Sequence, residues 1–135
     1  MTDHPMNPDT KAKLEQVSVA TLATALYKRG LRHQVIQDVR PLSQKGRNMV
    51  GPAFPLRYMP AREDRNQLVE FRNPDHPQRK AIETCPPGHV MVMDSRKSAR
   101  AASAGDILIT RLMVRGGAGV VTDGGFRDAM NIAQL

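Results

Sequence analysis

The chain has 135 residues, a formal net charge of +7 and a pI near 10.2, with no Trp, two Tyr and three Phe, so it has room for one domain whose core must be aliphatic. The charge would suggest nucleic acid, but Lys11, Lys28, Arg40, Arg57, Arg72, Arg96 and Arg111 are scattered and aromatics to stack bases are few, so no specific nucleic-acid partner is expected. No stretch approaches the ~20 apolar residues of a membrane span, and Met1 to Pro5 lacks the apolar centre of a signal peptide, which points to a cytoplasmic protein with no membrane contact.

In chain order, residues 1–9 read as a mobile N-terminal arm, because Pro5 and Pro8 oppose a helix there. Thr10 to Gln16 and Val19 to Arg29 read as helices, the second capped by Ser18 and stopped by Gly30. Met49 to Tyr58 is an apolar strand interrupted by Pro52 and Pro55, which places it at a sheet edge or on a bulge. The segment 59–80 is long and charged; Pro60 to Asn73 within it is tied down only by Leu68, Val69 and Phe71, and Asp75 or His76 with Pro77 starts a short helix ending near Thr84. Cys85 is the only cysteine, so no intramolecular disulfide can form and a reducing compartment suits the chain; it reads as a structural thiol. His33, His76 and His89 share no metal-ligand spacing, so no zinc site is expected.

Val90 to Asp94 is an apolar strand in which Met91 and Met93 pack inward, and Arg96, Lys97 and Arg100 form a solvated loop. Gly105 to Val114 reads as a helix, and Ala118 to Thr122 as a second buried strand. Strand, helix and strand make a βαβ unit with a parallel sheet. Ligands of such sheets bind outside the carboxyl ends of the strands, which puts Gly105, Asp106, Arg127 and Asp128 on one edge. From Arg127 the spacing turns helical and stays so to Leu135.

Arg127 and Asp128 follow Gly124 and Gly125 at a strand-to-helix junction, where free N–H groups and the helix dipole favour an anion. An arginine grips a carboxylate with two parallel hydrogen bonds, and an aspartate is a hard ligand for Mg²⁺ or Mn²⁺. Taken alone, the pair reads more readily as an ordinary helix start. Asp106 alone reads equally well as a charge on a helix dipole, and Asp123 as a stabiliser of its own Gly124-Gly125 turn.

The combined pattern is more specific. Gly105-Asp106, then twenty residues, then Arg127-Asp128 preceded by Asp123-Gly124-Gly125, resembles the signature of the RraA-like family, which contains class II 4-hydroxy-4-methyl-2-oxoglutarate aldolases and the regulator of ribonuclease activity A. Met49-Val50-Gly51-Pro52-Ala53-Phe54 resembles that family's first core strand, and the helical Thr21 to Leu31 precedes it as in the family. The resemblance implies an α/β fold, a swivelling β/β/α domain with a parallel βαβ core over residues 10–135, with the C-terminal part absent. It implies a lyase cleaving 4-hydroxy-2-oxo acids to pyruvate, with oxaloacetate decarboxylase activity, dependent on Mg²⁺ or Mn²⁺ and trimeric in full-length relatives.

By the same resemblance Asp128 ligates the metal, and Arg127 binds the carboxylate of the small 2-oxo acid. Asp106 works through water near the metal, and the backbone of Gly105, Asp106, Ile107 and Leu108 holds substrate oxygens. The chemistry is coherent: carbon–carbon cleavage beside a 2-oxo group leaves an enolate, whose charge a metal stabilises without a Schiff-base lysine. In the ribonuclease-regulator branch the Asp after the Arg is replaced; here it is present, which ranks a lyase above a protein-binding regulator. An inactive fragment of the aldolase family is the remaining alternative.

Overall fold

A computed structural model describes residues 6–43, 46, 48–62 and 64–135. Two parallel sheets organise it. A three-stranded parallel sheet has the order β1 (Ala53–Arg57), β2 (Val90–Asp94), β4 (Gly119–Thr122), and a parallel pair joins β3 (Ala102–Ala104) to β5 (Gly125–Phe126). Met91 lies opposite Phe54 on one side and Val120 on the other, so β2 is the central strand. A strand covered on both sides needs apolar residues on both faces, and Val90, Met91 and Met93 are buried. The expected βαβ unit is therefore present: β2, then α4 (Asp106–Val114), then β4 parallel to β2.

β1 lies at the sheet edge, where Pro55 is tolerated. Pro55 has no N–H to give and is accommodated where only one neighbour needs pairing. The strand is shorter than its apolar run, beginning at Ala53 rather than Met49. Gly51 and Pro52 form the approach to it. A Cβ on Gly51 would clash with the carbonyl oxygen of Gly88, and the Pro52 carbonyl accepts from Val90 N–H at 2.9 Å.

α3 (Pro77–Thr84) and α4 close one face of the sheet. Ala81, Ile82 and Cys85 meet Met91, Met93, Ile109 and Leu112 in the core, joined by Ala104 and Ile132. Burial pushes the Cys85 thiol up, as befits a packing residue. Glu83 joins the two helices: Arg111 donates to both of its oxygens at 2.8 and 2.9 Å, and Arg115 adds a third bond at 3.3 Å.

α1 (Pro8–Gln16) begins inside the expected arm. Pro8 occupies the first turn, where no N–H is needed, and the Asn7 side chain accepts from Asp9 and Thr10 N–H, so a proline read as opposing a helix instead opens one. Met1 to Pro5 lie outside the described residues. α2 (Val19–Lys28) starts at Ser18, whose hydroxyl accepts from Thr21 N–H at 3.1 Å, and stops at Gly30, whose φ of +82° permits the Leu31 N–H to reach the Leu26 carbonyl. Neither helix contains a fully buried residue; the Asn48 amide ties the end of α1 down by donating to the Leu14 and Val17 carbonyls. In the charged segment, Leu68–Arg72 forms a 3₁₀ turn whose end is held by Arg79 donating to the carbonyls of Phe71 and Arg72.

The helix expected from Arg127 to Leu135 shortens to α5 (Ala129–Ile132). Two contacts explain it. The Arg127 N–H donates to the Ala104 carbonyl at 3.1 Å, extending the β3–β5 pairing, and Asp128 then turns left-handed with φ of 60°. Beyond Ile132 the chain tightens through i→i+3 bonds from Gln134 to Asn131 and from Leu135 to Ile132.

Candidate functional site

The two polar segments singled out in the sequence meet. β3 ends at Ala104, Gly105 turns the chain into α4, and the β5–α5 junction passes directly against that turn. A Cβ on Gly105 would lie 2.7 Å from Arg127 Nε and 3.0 Å from Asp128 Oδ2. Gly105 has a φ of −114°, which any residue can adopt, so glycine is needed there for space rather than for conformation. Arg127 Nε and Asp128 Oδ2 stand 3.7 Å apart, close enough to attract but too far to hydrogen-bond. Their side chains remain 75% and 42% exposed, so both heads can still take a ligand.

Asp106 is the first residue of α4, and no side chain caps that helix. Its leading N–H groups therefore offer an anion-binding end. Asp106 Oδ2 accepts from the Asn131 side-chain amide at 3.0 Å, a contact between α4 and α5. Ile107 is 77% exposed, whereas Leu108 packs against the core, so the two residues share a backbone position but not a side-chain role. The geometry thus brings Gly105, Arg127 and Asp128 into contact, and places Asp106 beside them against Asn131 rather than against Arg127.

Asp128 offers one oxygen donor of the kind a hard divalent cation takes. Magnesium keeps several waters and takes one or two carboxylates, and Asp128 presents a carboxylate held only loosely by Arg127. Among the described residues there is no group of three or more His, Cys, Asp or Glu side chains that could cage a metal. A cation here would rest on Asp128 with water or substrate completing its shell.

Beneath this edge lies a polar joint that the sequence did not reveal. The Ser103 hydroxyl is buried, 2.7 Å from the hydroxyls of both Ser95 and Thr122, and the Gly124 N–H donates to Thr122 Oγ1 at 3.0 Å. Asp123 does not serve its own turn as expected. Its two carboxylate oxygens accept from the N–H groups of Ser95 at 2.6 Å and Lys97 at 2.9 Å. With Asp94 Oδ1, which accepts from the Arg96 N–H at 3.0 Å, it holds Arg96 and Lys97 in left-handed conformations, φ 56° and 57°, that neither residue favours. The only advance signal was a hydroxyl or acid just past each apolar run, at Ser95 and at Thr122-Asp123.

A family model described as RraA-like, Aldolase/RraA, matches residues 19–135. The chain belongs to the RraA-like family. This family includes both aldolase-type lyases and inhibitors of ribonucleases. Among solved structures, this RraA-like chain is similar to Streptomyces coelicolor RraAS2, described as an unusual member of the RNase ES inhibitor RraA protein family. The two share 29% identity over 98% of this chain and 61% of that one, with a TM-score of 0.75. A Pseudomonas syringae pv. tomato protein (22% identity, 97% and 54% coverage, TM-score 0.77) and RraA from Thermus thermophilis (24%, 89% and 63%, TM-score 0.60) share the fold. The chain spans between 54% and 63% of the length of these three structures. No curated protein matches. Among the described residues no helix is long and apolar enough to cross a membrane.

Proposed function

We propose that this RraA-like chain carries the acid and cation ends of a divalent-metal-dependent lyase that cleaves 4-hydroxy-2-oxo acids to pyruvate, and that the same site decarboxylates oxaloacetate. The observation that supports this reading is the packing of Arg127 and Asp128 onto the side-chain-free turn at Gly105. Arg127 binds the substrate's 1-carboxylate through its planar fork. The N–H groups at the start of α4, over Asp106, Ile107 and Leu108, face the 2-oxo oxygen and orient it. Asp106, held by Asn131, keeps an ordered water at hand to move the proton of the 4-hydroxyl during cleavage and to return one to the product carbon. Asp128 would hold a Mg²⁺ or Mn²⁺ ion, which would supply positive charge to the substrate oxygen that becomes negative during cleavage. A homotrimer is the assembly in which we place this chemistry.

The test is pyruvate release from 4-hydroxy-4-methyl-2-oxoglutarate with added Mg²⁺ or Mn²⁺, before and after chelation. Chelator-sensitive release is the expected result, and its absence from folded protein rejects the lyase. The ribonuclease inhibitor described for RraAS2 supports a second reading, a protein-binding regulator. That activity would survive both chelation and loss of the Asp128 carboxylate in a pull-down.

A further inference from the structure

Both halves of the candidate site hang from the end of β3. The Ala104 carbonyl accepts the Arg127 N–H at 3.1 Å, and the Gly105 carbonyl accepts the Ile109 N–H at 3.2 Å, which opens the hydrogen bonding of α4. Arg127 and the start of α4 are therefore placed by whatever places Ala104 and Gly105.

Ser103, one residue earlier, is buried, and its carbonyl has two side-chain donors from two other elements. The Tyr58 hydroxyl reaches it at 2.5 Å from just past the end of β1, and the Gln78 amide at 2.6 Å from α3. The Gln78 amide also donates to Tyr58 Oη at 3.1 Å, which closes a triangle of hydrogen bonds. Tyr58 is tied to the sheet as well, its N–H donating to the Asp94 carbonyl at 2.9 Å. Burial raises the pKa of the Tyr58 hydroxyl, against a smaller lowering by the Gln78 bond, so the proton given to Ser103 stays in place. One donor would satisfy a buried carbonyl; two, from separate elements, also fix where it lies. Tyr58 and Gln78 stand 45 and 25 residues upstream of Ser103, outside the pattern of Gly105, Asp106, Arg127 and Asp128.

We propose that Tyr58 and Gln78 are positioning residues: through the Ser103 carbonyl they set where β3 presents the leading amides of α4 and the backbone of Arg127 to the head group of a 2-oxo acid. The ligand in this statement rests on the lyase reading; the placement of the backbone does not.

Tyr58→Phe and Gln78→Met each remove one donor at nearly constant volume, and the double variant removes both. Amide hydrogen exchange reads the placement with no ligand present. Exchange should quicken at Ile109 and Arg127, while the Val90 and Ala118 amides, bonded at the opposite end of the sheet, keep their wild-type rates. Titration with pyruvate in the presence of Mg²⁺, well below the melting temperature of every variant, reads the consequence. Affinity should fall about threefold in each single variant and about thirtyfold in the double, more than the product of the singles, because a carbonyl left with one donor is still held. Exchange that rises evenly across the sheet, or a double variant that keeps a measured wild-type affinity, overturns the proposal. If the wild-type chain binds no pyruvate, the 2-oxo acid reading falls by itself, and exchange at Ile109 and Arg127 still decides the positioning role.

Discussion

Gly105 and Arg127 compete for one volume: the space a Cβ at 105 would take is already held by Arg127 Nε, 2.7 Å away, with Asp128 Oδ2 at 3.0 Å. Gly105→Ala must therefore move both groups. The displaced atoms are ends of exposed side chains, so stability should change by less than about 1 kcal/mol. Metal-stimulated turnover should nevertheless fall by about tenfold or more, because catalytic groups lose efficiency with small displacements. A steady-state assay beside a urea melt reads both, and an alanine variant with wild-type kinetics shows that the contact is incidental.

Asp128 allows charge and conformation to be separated. Its φ of 60° suits Asp and Asn, but costs other residues about 1 kcal/mol. Asp128→Asn should keep the melting temperature and lose metal-stimulated pyruvate release, whereas Asp128→Ala should lose that release and also lower the melting temperature by a few degrees. Mn²⁺ binding followed by electron paramagnetic resonance provides the metal readout. Undiminished Mn²⁺ affinity in the Asn variant would remove Asp128 from the metal site.

Arg127→Lys should not rescue Arg127→Ala. Lysine retains the charge and loses the planar pair of donors, so both variants should raise the apparent KM for 2-oxo acids by about tenfold. The 75% exposure of Arg127 keeps this below the effect of a buried pair. A lysine variant with wild-type KM would show that diffuse positive charge suffices.

Asp123→Ala should be the most damaging single change at this edge that touches no ligand. It leaves the N–H groups of Ser95 and Lys97 without an acceptor, and removes one of the two carboxylates on this left-handed turn, the other being Asp94, which accepts from the Arg96 N–H. Losing charge-assisted bonds of this kind costs about 1–3 kcal/mol. Denaturant titration should show that loss, and hydrogen exchange should show it concentrated in residues 95–101.

The Glu83 latch predicts a pH effect. Hydrogen bonds from Arg111 hold the Glu83 carboxyl below its ordinary 4.5, and the charges of Arg111, Arg115 and Arg79 add to this. A folded pKa below the unfolded one stabilises the fold above the unfolded value, and that contribution disappears as pH falls through the folded value. Stability should therefore drop below pH 4.5, and Glu83→Gln should flatten that part of the curve. Melts of the two proteins across the acid range compare them; superimposable pH profiles would show that the latch contributes nothing.

Patterns confined to one segment were readable from the amino acids in order. The Ser18 and Gly30 helix boundaries, the Val90 to Asp94 strand and the edge position that Pro55 favours each depend on a residue and its near neighbours. Where a local preference met a long-range partner, the partner won. The helical spacing after Arg127 yielded to a strand bond with Ala104, and Asp123 turned from its own glycines to amides 28 and 26 residues upstream. The Ser95, Ser103 and Thr122 hydroxyls and the Asn131 hold on Asp106 have no periodicity at all. Each exists because parallel strands end side by side, so polar groups left at separate chain positions must satisfy one another there, and only the folded chain determines which ones meet.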